Sequence, residues 1–180
     1  MFERTESLDA LSAADFRRIY DTVIAMLYKV AYNIVREEDA AEDICHDAMI
    51  KMTEKAMRFP SMNDAKYWLI RVVKNASLNY VKRRLLEKKV YARAFKEDSR
   101  RMDSGETALL KDETKQQVQR ALEQLPEKLR ITLQLCEYTD LNYKEIGRIL
   151  GISEGNVKVR IFRAREGLAK IIGEENVYLS

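Results

Sequence analysis

Apolar residues recur at every third or fourth position along almost the whole chain, the spacing that puts them on one buried face of an α-helix. Only two prolines and six glycines interrupt 180 residues. We therefore expect an all-α protein without a sheet. The predicted helices run from Ser12 to Arg36, from about Asp39 to Lys55, from a cap at Asp64 through Tyr80, through Val118 to Leu125, from Pro126 through Cys136, from Tyr143 to Leu150, and onward from Ser153.

The segment from Leu141 to Arg165 has the pattern of a helix-turn-helix, a module that reads DNA. Tyr143, Ile146 and Leu150 share one apolar face, and Gly151 ends the first helix. Ser153 is an N-cap candidate for the second. The apolar stripe of the second helix comprises Val157, Ile161, Ala164 and Leu168. Its other faces carry basic residues, which suit a phosphate backbone.

Charge is segregated along the chain although the net charge is only +3. Residues 37–54 hold seven acidic residues and one basic, whereas residues 81–101 hold nine basic residues and three acidic. The acidic helix would repel DNA and suits a basic protein surface, unless it is merely a solvated face. The basic stretch suits nucleic acid, and nearby aromatics such as Trp68 could stack on unpaired bases or simply anchor the core.

Two small domains are the expected organisation. Residues 101–113 are polar, contain a glycine and lack periodicity, which is typical of a linker. It would join a first domain over residues 1–100 to a second over residues 114–180. At the start of the first predicted helix, Ser12 and Asp15 match a capping box.

Several function classes find no support in the sequence. The first residues do not resemble a secretory leader, and no apolar run is long enough to span a membrane, so we expect a cytoplasmic protein without membrane insertion. Cys45 and Cys136 are expected to be buried free thiols, with a disulfide as the less favoured alternative, and the lone His46 completes no metal site. With no catalytic constellation or phosphate loop, we expect no enzyme activity, cofactor, metal or small-molecule substrate.

Three segments in this order resemble the extracytoplasmic-function (ECF) group of bacterial sigma factors of the sigma-70 superfamily. Ala31 to Met52 is similar to regions 2.1 and 2.2, Trp68 to Arg84 to regions 2.3 and 2.4, and Leu125 to Arg165 to region 4. The resemblance covers nearly the whole chain. It implies a factor that binds core RNA polymerase and directs promoter-specific initiation through −10 and −35 elements, and that an anti-sigma factor commonly restrains.

The resemblance also implies a role for each charged surface. The acidic helix would dock on the β′ clamp helices of polymerase, and the second domain would also meet the β flap. The residues implied in core binding are Glu42, Asp43, Asp47 and Lys51. The residues implied at the −10 element, where a flipped base would be held near Asn75, are Lys74, Asn75, Ala76, Asn79, Lys82, Arg83 and Arg84.

The −35 element would be read by the second helix of the helix-turn-helix. The residues implied there are Ser153, Glu154, Asn156, Lys158, Val159, Arg160, Phe162 and Arg163. Phe162 could equally complete the core. Asn156 and Val159 stand where the family often has Thr and Ser, so the promoter sequence cannot be transferred from a relative.

Two other classes of function remain open from the residues alone. One is a helix-turn-helix regulator that binds DNA without polymerase, which would need a dimer interface or a receiver domain. The other is a helical adaptor that binds no DNA. Binding of duplex promoter DNA without core polymerase would favour the first, and binding of neither polymerase nor nucleic acid would favour the second.

Overall fold

A computed structural model describes residues 7–94 and 113–178, and nearly all of them are helical, as predicted. Residues 7–94 are called the first half below and residues 113–178 the second half. The predicted linker, residues 101–113, lies outside the described residues except for Glu113, which already belongs to a helix. The elements are β1 (Leu8–Asp9), α1 (Ala13–Val35), α2 (Glu38–Glu54), β2 (Arg58–Phe59), α3 (Met62–Ala94), α4 (Glu113–Gln124), α5 (Glu127–Tyr138), α6 (Tyr143–Leu150) and α7 (Glu154–Tyr178).

The first half is a bundle in which α1 packs against both α2 and α3. The core stripe of α1 includes Ile19, Val23 and Leu27, which are fully buried at helical spacing. The expectation that no sheet forms is wrong in one detail, because β1 and β2 pair antiparallel with Leu8 opposite Phe59. Both side chains are buried, so this short pairing closes one end of the bundle.

The start of α1 was predicted correctly, although the capping box is incomplete. Ser12 Oγ accepts a hydrogen bond from the backbone N–H of Asp15 at 3.3 Å. The carboxylate of Asp15 accepts from the backbone N–H of Asp9 at 3.1 Å instead of reaching back to Ser12. Asp15 therefore ties β1 to α1. Arg36 ends the helix in a left-handed conformation with φ of 62°.

The cap predicted for α3 was wrong. The backbone N–H of Asp64 donates to Ser61 Oγ at 3.2 Å, so Ser61 is the capping residue and Asp64 lies in the first turn. Ser61 Oγ also donates to Asp64 Oδ2 at 2.7 Å. A carboxylate in the first turn is favourable beside the helix dipole, which explains why both residues suit this helix start.

The second half packs α5 and α6 against α7, with α4 alongside α7. Pro126 immediately precedes α5 as predicted, and Leu133 is buried. The stripe predicted for α4 is only partly buried, since Val118 is 38% exposed while Ala121 and Leu122 lie in the core.

The two halves share a contact surface. In this surface α1 packs against α5, and α3 packs against α6. Buried residues of both halves belong to one continuous hydrophobic cluster. Gln134 of α5 is 6% exposed and donates through Nε2 to the backbone oxygen of Asn33 in α1 at 2.8 Å.

Both cysteines are free thiols, as expected, but only Cys45 is buried and Cys136 is half-buried. Burial raises the pKa of the Cys45 thiol to about 12, which leaves it protonated and unreactive at neutral pH. Among the described residues, no helix has the length and apolar character needed to cross a membrane.

Candidate nucleic-acid interface

The first helix of the helix-turn-helix, α6, has a complete capping box that the sequence analysis overlooked. Asn142 Oδ1 accepts from the backbone N–H of Glu145 at 3.0 Å, and Glu145 Oε2 accepts from the backbone N–H of Asn142 at 2.7 Å. The pattern of a capping residue followed three positions later by Glu was present at Asn142. This box fixes where α6 begins.

The turn between α6 and α7 depends on two glycines, Gly147 within α6 and Gly151 directly after it. Gly151 adopts φ of 69°, the left-handed conformation that ends α6, as predicted. Gly147 lies against the turn, and a Cβ there would stand 2.6 Å from the backbone oxygen of Ile152. Because no side chain fits at that distance, Gly147 lets α6 and the turn approach closely.

The start of α7 presents the surface predicted to read DNA. Ser153 Oγ accepts from the backbone N–H of Asn156 at 3.3 Å, which confirms the predicted cap. Val157, Ile161 and Ala164 are buried. Arg160 is half-buried. The other residues implied at the −35 element are all exposed: Ser153, Glu154, Asn156, Lys158, Val159, Phe162 and Arg163.

Phe162 does not complete the core, because 69% of it is exposed. Val159, one turn earlier on the same helix, is 46% exposed. Two apolar side chains thus stand in solvent among polar and basic neighbours. In a major groove such side chains can contact thymine methyl groups.

A basic and an acidic side chain of this surface are paired with each other. Lys158 Nζ lies 2.8 Å from Glu154 Oε1, one turn apart on α7. The pairing raises the pKa of Lys158 and lowers the pKa of Glu154. Both groups are therefore charged at neutral pH, and together they offer a donor and an acceptor to base edges.

The residues implied at the −10 element lie on the middle of α3. Asn75, Asn79, Lys82, Arg83 and Arg84 are exposed, whereas Lys74 and Ala76 are half-buried. Asn75, Asn79 and Arg83 are spaced four residues apart, so they follow one another along one face. An amide on this face can donate to and accept from the edge of an unpaired base.

Glu37, just before α2, holds two side chains of α3, a link that the sequence did not reveal. Its carboxylate forms an ion pair with Arg84 and accepts from the hydroxyl of Tyr80 at 2.6 Å. Arg84 is therefore engaged within the first half. The two preceding cations of α3, Lys82 and Arg83, are also exposed.

The residues implied in core binding form an exposed face of α2. Glu42, Asp43, Asp47 and Lys51 are all exposed, while Ala41, Ile44, Cys45, Ala48 and Met52 are buried, as the apolar pattern predicted. A groove of about 530 Å³ runs between this face and α3. It is lined by Asp43 and Asp47 on one side and by Asn79 and Arg83 on the other, so the two surfaces share a border.

Trp68 is packed against the core of the first half. Its ring centroid lies 5.9 Å from that of Phe59 at an interplanar angle of 56°, and Phe59 is buried in the short β-pairing. Of the two readings of Trp68, this contact favours the core anchor. In the portion of the chain that the structure covers, no three side chains are grouped as metal ligands.

Two family models match the chain. Residues 19–85 match the model described as Sigma-70 region 2, and residues 115–168 match the model described as Sigma-70, region 4. The first match spans α2 and the part of α3 that carries the residues implied at the −10 element. The second spans the helix-turn-helix.

Similar proteins cover most of the chain. The RNA polymerase sigma-H factor of Pseudomonas aeruginosa is 32% identical over 168 residues, which cover 87% of each chain. The ECF RNA polymerase sigma-E factor of Escherichia coli is 31% identical over 156 residues, covering 81% of this chain and 82% of that protein. The ECF RNA polymerase sigma factor SigW of Bacillus subtilis is 28% identical over 163 residues, covering 86% and 87%.

A solved structure shares the fold. The sigma factor RpoE of Bartonella quintana, crystallised in complex with the anti-sigma factor NepR, superimposes with a TM-score of 0.64 and 21% identity. The match covers 89% of this chain and 98% of that chain. The arrangement of helices in both halves is thus one that a sigma factor adopts.

Proposed function

Since the chain belongs to the extracytoplasmic-function group of RNA polymerase sigma factors, we propose that its two halves divide promoter recognition between them. Proteins of this group bind core RNA polymerase and direct it to promoters, and they are not a class of enzyme. The family assignment decides against an independent regulator and against an adaptor without DNA. The residue assignments that follow are our proposal.

The observation that carries the proposal is the exposed start of α7. A capped helix N-terminus follows a tight turn, and seven of the eight residues implied at the −35 element are exposed there. Recognition helices of this kind reach base edges with their N-terminal residues. We assign Asn156, Lys158 and Phe162 to base edges and Arg163 to the groove edge.

The middle of α3 is assigned to the −10 element. Asn75 and Asn79 offer amides at helical spacing on an exposed face, and Lys82 and Arg83 follow them as phosphate contacts. Extruding a base costs a few kcal/mol, roughly what stacking and edge hydrogen bonds can return. The helix therefore has the groups needed to hold one separated strand.

The acidic face of α2 is assigned to core polymerase. Its charge is opposite to that of the DNA-facing helices, so the same half can bind a basic protein surface and a nucleic acid on neighbouring faces. We also propose that residues 1–100 form one domain and residues 114–180 a second, joined by a linker over residues 101–113. The protein itself would perform no covalent chemistry.

An anti-sigma factor is proposed as a further partner. The structural neighbour from Bartonella quintana is itself in complex with an anti-sigma factor, and its fold matches both halves of this chain. The contact between the halves gives such a protein a defined arrangement to bind.

Binding of promoter DNA with and without core polymerase tests the proposal. We expect the purified protein to form a stable complex with bacterial core enzyme, and only that complex to bind duplex promoter DNA tightly. Tight binding of promoter DNA by the protein alone, with no effect of core, would contradict the division of labour.

A further inference from the structure

A cavity of about 380 Å³ lies where the end of α1 and the later turns of α3 meet α4 and α5. Its walls are partly apolar and include Ile34, Val81 and Leu85. Of the residues assigned above to DNA or to polymerase, only Arg84 lines it. Small-molecule sites have volumes of about 300–1,000 Å³, so this cavity has room for a small ligand.

Arg36, directly after α1, lines the cavity with a guanidinium that the fold leaves partly unpaired. Its guanidinium carbon lies 6.0 Å from the centroid of the Tyr32 ring. Nε and Nη2 are buried, yet no atom of residues 7–94 or 113–178 accepts a hydrogen bond from them. Burial lowers the pKa of Arg36, and Tyr138 is the first group that opposes this effect. Because arginine stays protonated and buried donors need acceptors, these two nitrogens mark a place for an acceptor.

Gln134 of α5 lines the same cavity with an unused acceptor. The residue is 6% exposed, and its Nε2 donates to the backbone oxygen of Asn33 at 2.8 Å. Since a backbone oxygen only accepts, this bond fixes which end of the amide is Oε1. Oε1 is buried and receives no hydrogen bond from the part of the chain that the structure describes. A ligand that satisfies the cavity must therefore offer a donor to Gln134 as well as an acceptor to Arg36.

Cations outnumber carboxylates around the cavity. The charged residues that line it are Arg36, Arg84, Lys88, Glu123 and Arg130. Glu37 pairs with Arg84 from outside this lining. With Glu37 and Glu123 each offsetting one cation, two positive charges remain unbalanced among the described residues. The cavity therefore suits a ligand with two negative charges, which a single carboxylate does not supply.

We propose that this cavity binds a small phosphomonoester of the size of a sugar phosphate, with its phosphate on Arg36 and a hydroxyl donating to Gln134. Phosphate oxygens accept from the nitrogens of a guanidinium, often two at once. A phosphomonoester carries close to two negative charges at neutral pH, which matches the unbalanced cations. The carbon atoms of the ligand would pack against the apolar wall formed by Ile34, Val81 and Leu85.

Ribose 5-phosphate is the probe, added to the full chain at pH 8, where its phosphate carries two negative charges. A ligand that binds only the folded protein raises the midpoint of thermal unfolding as its concentration rises. Calorimetric titration gives the dissociation constants. We expect ribose 5-phosphate to bind at least about ten-fold more tightly than ribose, which lacks the charge-assisted contacts to Arg36. Inorganic phosphate, which lacks the organic part, should also bind more weakly.

Variants locate the site. Arg36→Met removes the guanidinium but keeps an unbranched side chain against Tyr32, and it should weaken binding about ten-fold or more. Without ligand it should unfold no earlier than wild type, because it removes buried donors that have no acceptor. Lys88→Ala changes an exposed residue of the rim, so it should weaken binding about two- to five-fold with an unchanged midpoint. Arg17→Met, which removes an exposed cation of α1 far from the cavity, is the matched control and should bind like wild type.

Three results would overturn the inference. No binding of ribose 5-phosphate to wild type would mean that water alone satisfies Arg36 and Gln134. Equal binding by wild type, Arg36→Met and Lys88→Ala would mean that the sugar phosphate binds elsewhere. A single strand of twenty thymidines that binds only when Arg36 is present, while ribose 5-phosphate does not bind, would assign the cavity to a nucleic-acid backbone instead.

Discussion

Phe162 shows at the scale of one residue why burial separates a core position from a binding position. It follows the buried Ile161 directly, yet 69% of it is exposed, while Ile161 is 2% exposed. The sequence left both roles open for Phe162 because a large aromatic residue adjoins Ile161 of the apolar stripe, although adjacent helix positions point about 100° apart. An exposed aromatic side chain adds little to folding, so its place on α7 favours a role in binding.

Replacing Phe162 with Ala should therefore leave the free energy of unfolding within about 0.5 kcal/mol of wild type, as for other exposed positions. Transcription that depends on the −35 element should fall. Ile161→Ala is the matched control and should cost about 2–5 kcal/mol, since it empties a buried site. Denaturant unfolding and transcription in vitro measure the two effects. A large loss of stability in Phe162→Ala would show that Phe162 packs in the core and would contradict this prediction.

Lys158 carries the second prediction at this scale. Its replacement by Ala should weaken binding of a promoter fragment by the holoenzyme about ten-fold or more, because a base-edge contact is lost. Binding of core polymerase should persist. Lys170→Ala, further along α7, is the control for a lost positive charge. Unchanged affinity for the promoter in Lys158→Ala would argue against α7 as the −35 reader.

At the scale of elements, the turn between α6 and α7 depends on the lack of a side chain at Gly147. Its backbone oxygen accepts from the N–H of Ile152 at 3.0 Å, which closes the turn beneath the glycine. A sequence pattern cannot reveal this requirement, because Gly147 lies inside a helix with no break. Gly151, whose positive φ ends the helix, was recognisable because it stands at the end of an apolar pattern.

Gly147→Ala should destabilise the protein by about 1–3 kcal/mol, the usual cost of overpacking, because its Cβ would clash with a backbone atom. Gly155→Ala is the matched control, since a Cβ there meets nothing within 4 Å and Ala favours a helix. Thermal or denaturant unfolding separates the two. Equal stability of both variants would mean that the turn tolerates a side chain.

The acidic face of α2 yields a prediction about core binding. Reversing the charge at Asp43 and Asp47 should weaken assembly with core polymerase, since both carboxylates are exposed and make no part of the core. Reversal at Asp21 and Glu166, exposed carboxylates on other helices, is the control. Competition with a labelled sigma factor for core measures the effect. Normal competition by the Asp43 and Asp47 variant would refute the role of α2.

The start of α1 followed from the sequence because its apolar period coincided with the capping residue Ser12, and the end of α6 followed because its apolar period stops at Gly151. The start of α3 did not, because Ser61 and Asp64 are both capping types three residues apart and only geometry decides between them. The two-residue strands were too short for any alternating pattern.

At the scale of the whole molecule, the contact between the halves could not be predicted from the sequence. Tyr67 and Glu145 stand 78 positions apart, and each fits a surface role in its own helix. The hydrogen bond between Tyr67 and Glu145 forms only because α6 packs against α3. The charge map is the basis on which we assign surfaces to DNA and to polymerase, but it did not predict that the two halves pack together.

This contact should weaken at high pH. Burial, followed by the hydrogen bond to Glu145, raises the pKa of Tyr67 to about 12 from an ordinary value of 10.0, with Arg148 opposing and Asp64 adding to the shift. Between these values the joined halves retain a proton that the separated halves lose, so raising the pH through this window favours separation. Energy transfer between labels on the two halves measures it. An identical pH response in Tyr67→Phe would contradict this origin.

The central claim is that an acidic face binds polymerase while basic helices in both halves bind a promoter. Sequencing the transcripts made on fragmented genomic DNA by core enzyme with and without the protein tests it most directly. We predict a limited set of start sites that appear only with the protein and share two upstream sequence elements. Start sites as scattered as those of core enzyme alone would contradict the claim.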